Sequence, residues 1–142
     1  MPAVVRSIEI HAPPSVVWRW LSTPEALRQW FHPGLEIDLR VGGRYSFHDP
    51  DSDDRVNGTV LELIPEGSLI LSWMEEGAGG HPARLVVALA PTAAGTRVTV
   101  TYDRFAGIGK PNWADTVEAY ERGADRHQDL ERLAAFVAHG VA

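Results

Sequence analysis

Apolar and polar residues alternate with a period of two over most of the first hundred positions, then switch to a helical period. The run Val4 to His11 alternates loosely and is rich in β-branched residues, which predicts a strand. Pro13-Pro14 ends it, because proline donates no ladder hydrogen bond, and Pro14 suits the first turn of a helix. From Ser15 to Leu21 the residues Val17, Trp18 and Leu21 fall on one helical face. Thr23-Pro24-Glu25 reads as an N-cap, a proline at the first helical position and a first-turn acid. A second helix is therefore expected from Pro24 to near Trp30, with Leu27, Trp30 and Phe31 inward.

The next strands are expected at Leu35 to Leu39, where apolar residues alternate with Glu and Asp, and at Arg44 to His48, after the hairpin signal Gly42-Gly43. Arg55 to Ile64 and Ser68 to Met74 form a hairpin around Pro65-Glu66-Gly67. Arg84 to Ala90 and Thr96 to Arg104 form another around Pro91 to Gly95. Polar or glycine-rich loops are expected at Asp49 to Asp54 and Gly77 to Pro82. In the last strand Val98, Val100 and Tyr102 alternate against Arg97, Thr99 and Thr101. From near Asn112 to His139 the pattern is helical: Tyr120, Ala124, His127, Leu130, Ala134 and Val137 recur at spacings of three and four. Gly123 weakens that helix by roughly 1 kcal/mol relative to alanine, which predicts a kink or close packing there. Short connections between strands favour one antiparallel sheet. The expected fold is α+β: a bent seven-stranded antiparallel sheet around a long C-terminal helix, with two short helices after the first strand closing one end.

Composition narrows the function classes. A chain of 142 residues suits a single domain over 1–142, burying roughly 68–70% of its unfolded surface. It has no cysteine, which excludes disulfides, thiolate catalysis, Cys-ligated zinc and iron–sulfur clusters, and fits a reducing, cytoplasmic setting. A net charge of −6 argues against nucleic acid or an anionic membrane as partner. Of the basic residues twelve are Arg and one, Lys110, is Lys, most of the arginines at predicted surface positions. No signal peptide is expected from the N-terminal residues, and no run approaches the roughly 20 apolar residues of a membrane span. Asn57-Gly58-Thr59 matches a glycosylation sequon by letter, but a turn or bulge within a strand is the expected reading.

Several pieces occur in the order found in helix-grip domains: Ile10-His-Ala-Pro-Pro-Ser-Val-Val-Trp18, Thr23-Pro-Glu-Ala-Leu-Arg-Gln-Trp-Phe31, Asp38-Leu-Arg-Val-Gly-Gly-Arg-Tyr45, Gly58-Thr-Val-Leu-Glu62, Leu69-Ile-Leu-Ser-Trp73 and Gly95-Thr-Arg-Val98. Together they cover nearly the whole chain. The layout resembles the SRPBCC superfamily, which includes START and Bet v 1-like domains, and within it the branch of activator of heat shock protein 90 ATPase homologue-like proteins. That resemblance implies a cavity between sheet and last helix. It also implies a functionally diverse set of relatives: lipid and hydrophobe binders, polyketide cyclases and stress proteins. Many relatives carry Gly-Trp shortly before the final leucines. Here that region reads Asp125-Arg126-His127-Gln128, which implies a more polar cavity face.

The candidate site residues are mostly aromatic. Aromatic walls suit flat, apolar ligands, yet aromatics also dominate ordinary cores. Core packing is the favoured reading for Trp18, Trp30 and Trp73. Trp20 is expected to be more exposed, and Trp113 lies in a Gly107 to Trp113 loop that could serve as a lid. Tyr45 shares its strand phase with Phe47, and Tyr102 shares its phase with Val98 and Val100, so both are expected inward. A buried tyrosine needs a hydroxyl partner, so a purely structural role stays open. Arg84 starts a strand and is expected to face solvent. His127, on the stripe with Tyr120 and Leu130, is the one candidate catalytic residue, as an acid or base; a histidine on the helix edge with a satisfied hydrogen bond is the favoured reading. The candidate ligand-binding set is Trp30, Phe31, Tyr45, Phe47, Trp73, Tyr102, Trp113, Tyr120 and His127.

No metal or cofactor is expected. Asp49, Asp51 and Asp53 imitate a calcium loop, but Asp54 stands in place of the turn glycine and Val60 in place of the bidentate glutamate. The six histidines lack metal spacing, and there is no Gly-x-Ser-x-Gly elbow, P-loop or dinucleotide fingerprint. Three functions remain, in this order: binding a small hydrophobic or aromatic molecule; a cyclase- or hydrolase-like reaction using His127; and a protein-interaction or stress-response module. Either a monomer or a homodimer is compatible with the sequence.

Overall fold

The computed structural model describes residues 3–48, 55–75, 83–104, 117 and 129–139. The chain opens with β1 (Val4–Ile10) and turns through α1 (Pro14–Trp18) and α2 (Pro24–Trp30). It continues through β2 (Glu36–Ile37), β3 (Arg44–His48), β4 (Arg55–Ile64), β5 (Ser68–Glu75), β6 (Ala83–Pro91) and β7 (Thr96–Asp103), and the last described element is α3 (Asp129–His139). The strands form one curved sheet in the order β1-β7-β6-β5-β4-β3-β2, with every neighbouring pair antiparallel. This is the α+β helix-grip arrangement that the alternation pattern predicts. The loops expected at Asp49 to Asp54, Gly77 to Pro82 and Gly107 to Trp113, and the helical residues expected before Asp129 apart from the buried, helical Val117, lie outside the described residues.

Local chemistry explains the helix starts. In α2 the Thr23 hydroxyl accepts from the Ala26 N–H at 3.1 Å, Pro24 occupies the first turn and Glu25 supplies its acid. Helix α1 has only five residues and no side-chain cap. Its periodicity therefore ends early, and the chain turns on through Trp20 N–H to Val17 and Leu21 N–H to Trp18 carbonyl bonds. The turn swings Trp20 inward: it is buried and stacks on Phe136 of α3 at 5.3 Å, which corrects the expectation of an exposed tryptophan. The strand expected at Leu35 to Leu39 shrinks to two residues. After Ile37 one more bond reaches β3, from the Asp38 N–H to the Arg44 carbonyl. Beyond it the Arg40 N–H to Asp38 and Gly43 N–H to Arg40 bonds close a tight turn, and Gly42 and Gly43 bond Val60 of β4 instead, so β2 stays short.

The core lies between the sheet's inner face and the helices. Alternate residues supply it: Val4 and Ile10 from β1, Leu69, Leu71 and Trp73 from β5, Leu85, Val87 and Leu89 from β6. Strand β4 changes phase midway. The register shifts between Val60 and Glu62, so Val56 and Val60 point inward before the bulge and Leu63 packs on the core after it. Leu61 is the extra residue, which explains why a leucine in mid-strand stays exposed. Asn57-Gly58-Thr59 lies inside β4 just before this bulge, and its glycine marks a close approach of strands: a Cβ there would lie 2.2 Å from the Ser72 carbonyl oxygen of β5.

Helix α3 packs on β1 and α2 through Leu130, Leu133, Ala134 and Val137, with Leu133 fully buried at the centre of the stripe. Two side chains tie the helical layer together. The Trp30 indole donates to the Trp20 carbonyl at 2.8 Å, and Arg132 of α3 donates to the Trp30 carbonyl at 3.2 Å while pairing with Asp129. The carbonyl at the end of α2 thus receives a cation's N–H, the arrangement that a helix C-terminus favours.

Candidate ligand-binding cavity

Between the sheet and α3 lies a cavity of about 140 Å³. Its floor is aliphatic. Val87 and Val100 are cross-strand partners on β6 and β7, and Val4 pairs with Tyr102 one row away. Trp30 and Phe31 bring the end of α2 to one side, and Leu130 of α3 covers the top. The rim is polar, built from Arg6 and Ser7 of β1 with Asp129 and Glu131 of α3.

Phe31 and Tyr102 connect this cavity to a second cluster of aromatic rings. Trp73 lies edge to face with Phe31 at 6.4 Å and with Tyr102 at 5.4 Å. Phe47 lies 5.3 Å from Trp73 and 5.9 Å from Phe31, and Tyr45 joins at 6.5 Å from both Phe47 and Trp73. His32 covers Phe47 at 4.2 Å, its Nδ1 accepting from the Gly34 N–H at 3.1 Å. Most of these contacts are edge-on or tilted, the geometry that ring quadrupoles prefer.

Tyr45 shows how the cluster is held. Its strand partner is Gly58, and the missing side chain there lets the phenol cross β4 to donate to the Ser72 carbonyl of β5 at 2.5 Å. The Ser72 hydroxyl in turn accepts from the Thr59 N–H at 2.8 Å. Among the described residues no buried side-chain polar atom lacks a hydrogen-bond partner. Burial pushes the Tyr45 phenol well above its ordinary value, and nearby Tyr102 adds to the effect.

The sign of the pH dependence follows from that shift. Above about pH 10 an unfolded tyrosine ionises while buried Tyr45 keeps its proton, so the folded state binds more protons and stability falls as pH rises. Tyr45→Phe is expected to cost about 1–3 kcal/mol at pH 8, because the Ser72 carbonyl loses its donor. The same variant should lose less stability than the parent between pH 8 and pH 11, as read by urea unfolding at both values. An equal alkaline loss in both proteins would assign that loss to other groups.

Three of the sequence-derived candidates, Trp30, Phe31 and Tyr102, line the cavity, while Tyr45, Phe47 and Trp73 form the adjoining cluster. Trp113, Tyr120 and the candidate catalytic His127 lie outside the described residues. Arg84 is on the outer face, where its guanidinium makes a two-point contact with cross-strand partner Asp103 at 3.0 and 2.7 Å. Sequence reasoning passed over Arg6, Val87, Asp129 and Glu131. For Arg6 the signal was parity: it shares the inward phase of β1 with Val4, Ile8 and Ile10. Among the described residues no cluster of three or more acidic, His or Cys side chains is arranged to hold a metal ion, and no helix is long and apolar enough to cross a membrane.

A curved antiparallel sheet closed over a C-terminal helix, with a small cavity between them, defines a helix-grip protein. Residues 11–134 match the family model described as "Activator of Hsp90 ATPase homolog 1-like protein", and the chain belongs to that family. Solved structures share its fold. A protein from Mesorhizobium loti is 21% identical with a TM-score of 0.80, the match covering 99% of this chain and 100% of that one. A protein from Chromobacterium violaceum is 25% identical with a TM-score of 0.67, over 96% and 97% of the two chains. The Aha1 dimer from Colwellia psychrerythraea is 18% identical with a TM-score of 0.71, over the full length of both. No curated protein matches the chain.

Proposed function

We propose that the chain binds a small apolar or aromatic molecule in the cavity between sheet and α3. The observation that carries this reading is a 140 Å³ space walled by Val87, Val100, Trp30, Phe31, Tyr102 and Leu130. Volume decides the size class. An apolar cavity of about 150 Å³ holds benzene, whereas pockets for drug-sized ligands run to roughly 300–1,000 Å³. The fit is to one ring with a small substituent. Aliphatic and aromatic walls supply affinity, while Arg6, Ser7, Asp129 and Glu131 meet whatever polar group the ligand turns toward the rim.

The test is thermal unfolding with phenol or benzene present. A ligand at a hundred times its Kd stabilises by about 2.7 kcal/mol, which raises Tm by several degrees in a chain of this size. Val100→Phe should fill the cavity, abolish that shift and leave the unliganded Tm within a few degrees of the parent's. Equal ligand shifts in the parent and Val100→Phe would place binding elsewhere.

A protein-interaction role is the second reading. It is favoured by the family description and by how much of the interior the packed rings of Phe31, Phe47 and Trp73 already fill. A rise in the ATPase rate of a purified Hsp90 on adding this chain would support it.

A further inference from the structure

The cavity and the aromatic cluster are neighbouring compartments with a shared wall made by Phe31 and Tyr102. The two wall residues are held differently. Tyr102 sits within the β7 ladder, paired with Val4 on one side and Leu85 on the other. Phe31 is the C-cap of α2, half-buried, and contributes no strand pairing. Its ring centroid lies 5.8 to 6.4 Å from those of Trp30, Phe47 and Trp73, each contact tilted or edge-on. Beyond it lie Trp73 and Phe47, whose aromatic surfaces suit another ring.

We propose that Phe31 is the specificity-determining residue of this site: its ring limits the cavity to ligands of a single aromatic ring and keeps Trp73 and Phe47 out of reach. This deepens the binding function proposed above and rests on it. The ligand class that follows is a monocyclic aromatic with a small polar substituent, the ring against Phe31, Val87 and Val100 and the substituent toward Arg6 and Ser7. Shortening Phe31 to alanine removes one benzene ring from the wall, which is the room a fused second ring needs.

Phenol and 2-naphthol are the probes, titrated calorimetrically into the parent, Phe31→Ala and Phe31→Leu. The parent is expected to prefer phenol, and Phe31→Ala to bind 2-naphthol about tenfold or more tighter than the parent does, a discrimination within reach of apolar pocket contacts. Phe31→Leu should fall between them. Phenol binding to the parent with no gain of 2-naphthol in either variant overturns the role of Phe31 and leaves the binding function standing. No binding of either probe to any of the three proteins overturns both. Should circular dichroism show Phe31→Ala unfolded, Phe31→Leu decides: a 2-naphthol affinity above the parent's supports the proposal and an unchanged one sinks it.

Discussion

Trp30→Ala is expected to lower stability by about 3–5 kcal/mol, the range for deleting a large buried aromatic, and to lower Tm by about 10–15 °C. Trp30 is 2% exposed and meets every layer around it. Its indole satisfies the Trp20 carbonyl, its own carbonyl receives Arg132, its ring touches Phe31 and it walls the cavity. Alanine removes the ring, strands a buried carbonyl and loosens the contact between α2 and α3. Trp30→Phe separates these effects. It keeps most of the volume and loses the donor, so it should cost about 1–3 kcal/mol. Urea unfolding of the two variants checks the ordering, and equal losses would mean that the hydrogen bond, rather than packing, dominates at this position.

Gly58→Ala is expected to cost about 3 kcal/mol although it adds one methyl group. That methyl would lie 2.2 Å from the Ser72 carbonyl oxygen and 2.7 Å from its hydroxyl, so β4 and β5 must separate. Overpacking of this kind typically costs about 1–3 kcal/mol, and here it also pulls apart the Tyr45 to Ser72 and Thr59 to Ser72 hydrogen bonds. Near-ultraviolet circular dichroism should report the disturbance of Tyr45 and Trp73. Gly34→Ala is the control: its nearest atoms lie 3.6 Å away, an ordinary contact, and its stability should stay within about 0.5 kcal/mol of the parent. Equal effects of the two substitutions would show that the strands around Gly58 yield at little cost.

The fold was legible because its signals are local. The Thr23-Pro24-Glu25 start of α2 is a matter of neighbouring atoms, and the alternation along β7 needs no knowledge of its partner. The departures arose where local signals end. The two-residue β2 followed from competition between turn and ladder hydrogen bonds, and the burial of Trp20 from a helix too short to keep its phase. Six aromatic candidates fall at inward-facing positions, and the structure brings them together. Inward phase does not say which ring faces which, so three of them line a cavity and three pack behind it.

The sequence by itself determined seven strands, two short helices and an apolar inner face, because strand alternation and helix capping are written in residues within a few positions of one another. Only the tertiary structure decided that Gly58 lets Tyr45 reach Ser72, that Arg6 and Asp129 meet at one rim, and that Phe31 divides a one-ring cavity from an aromatic cluster. Those contacts join residues tens of positions apart, and they depend on strand register, bulge placement and sheet curvature, which no local pattern along the chain specifies.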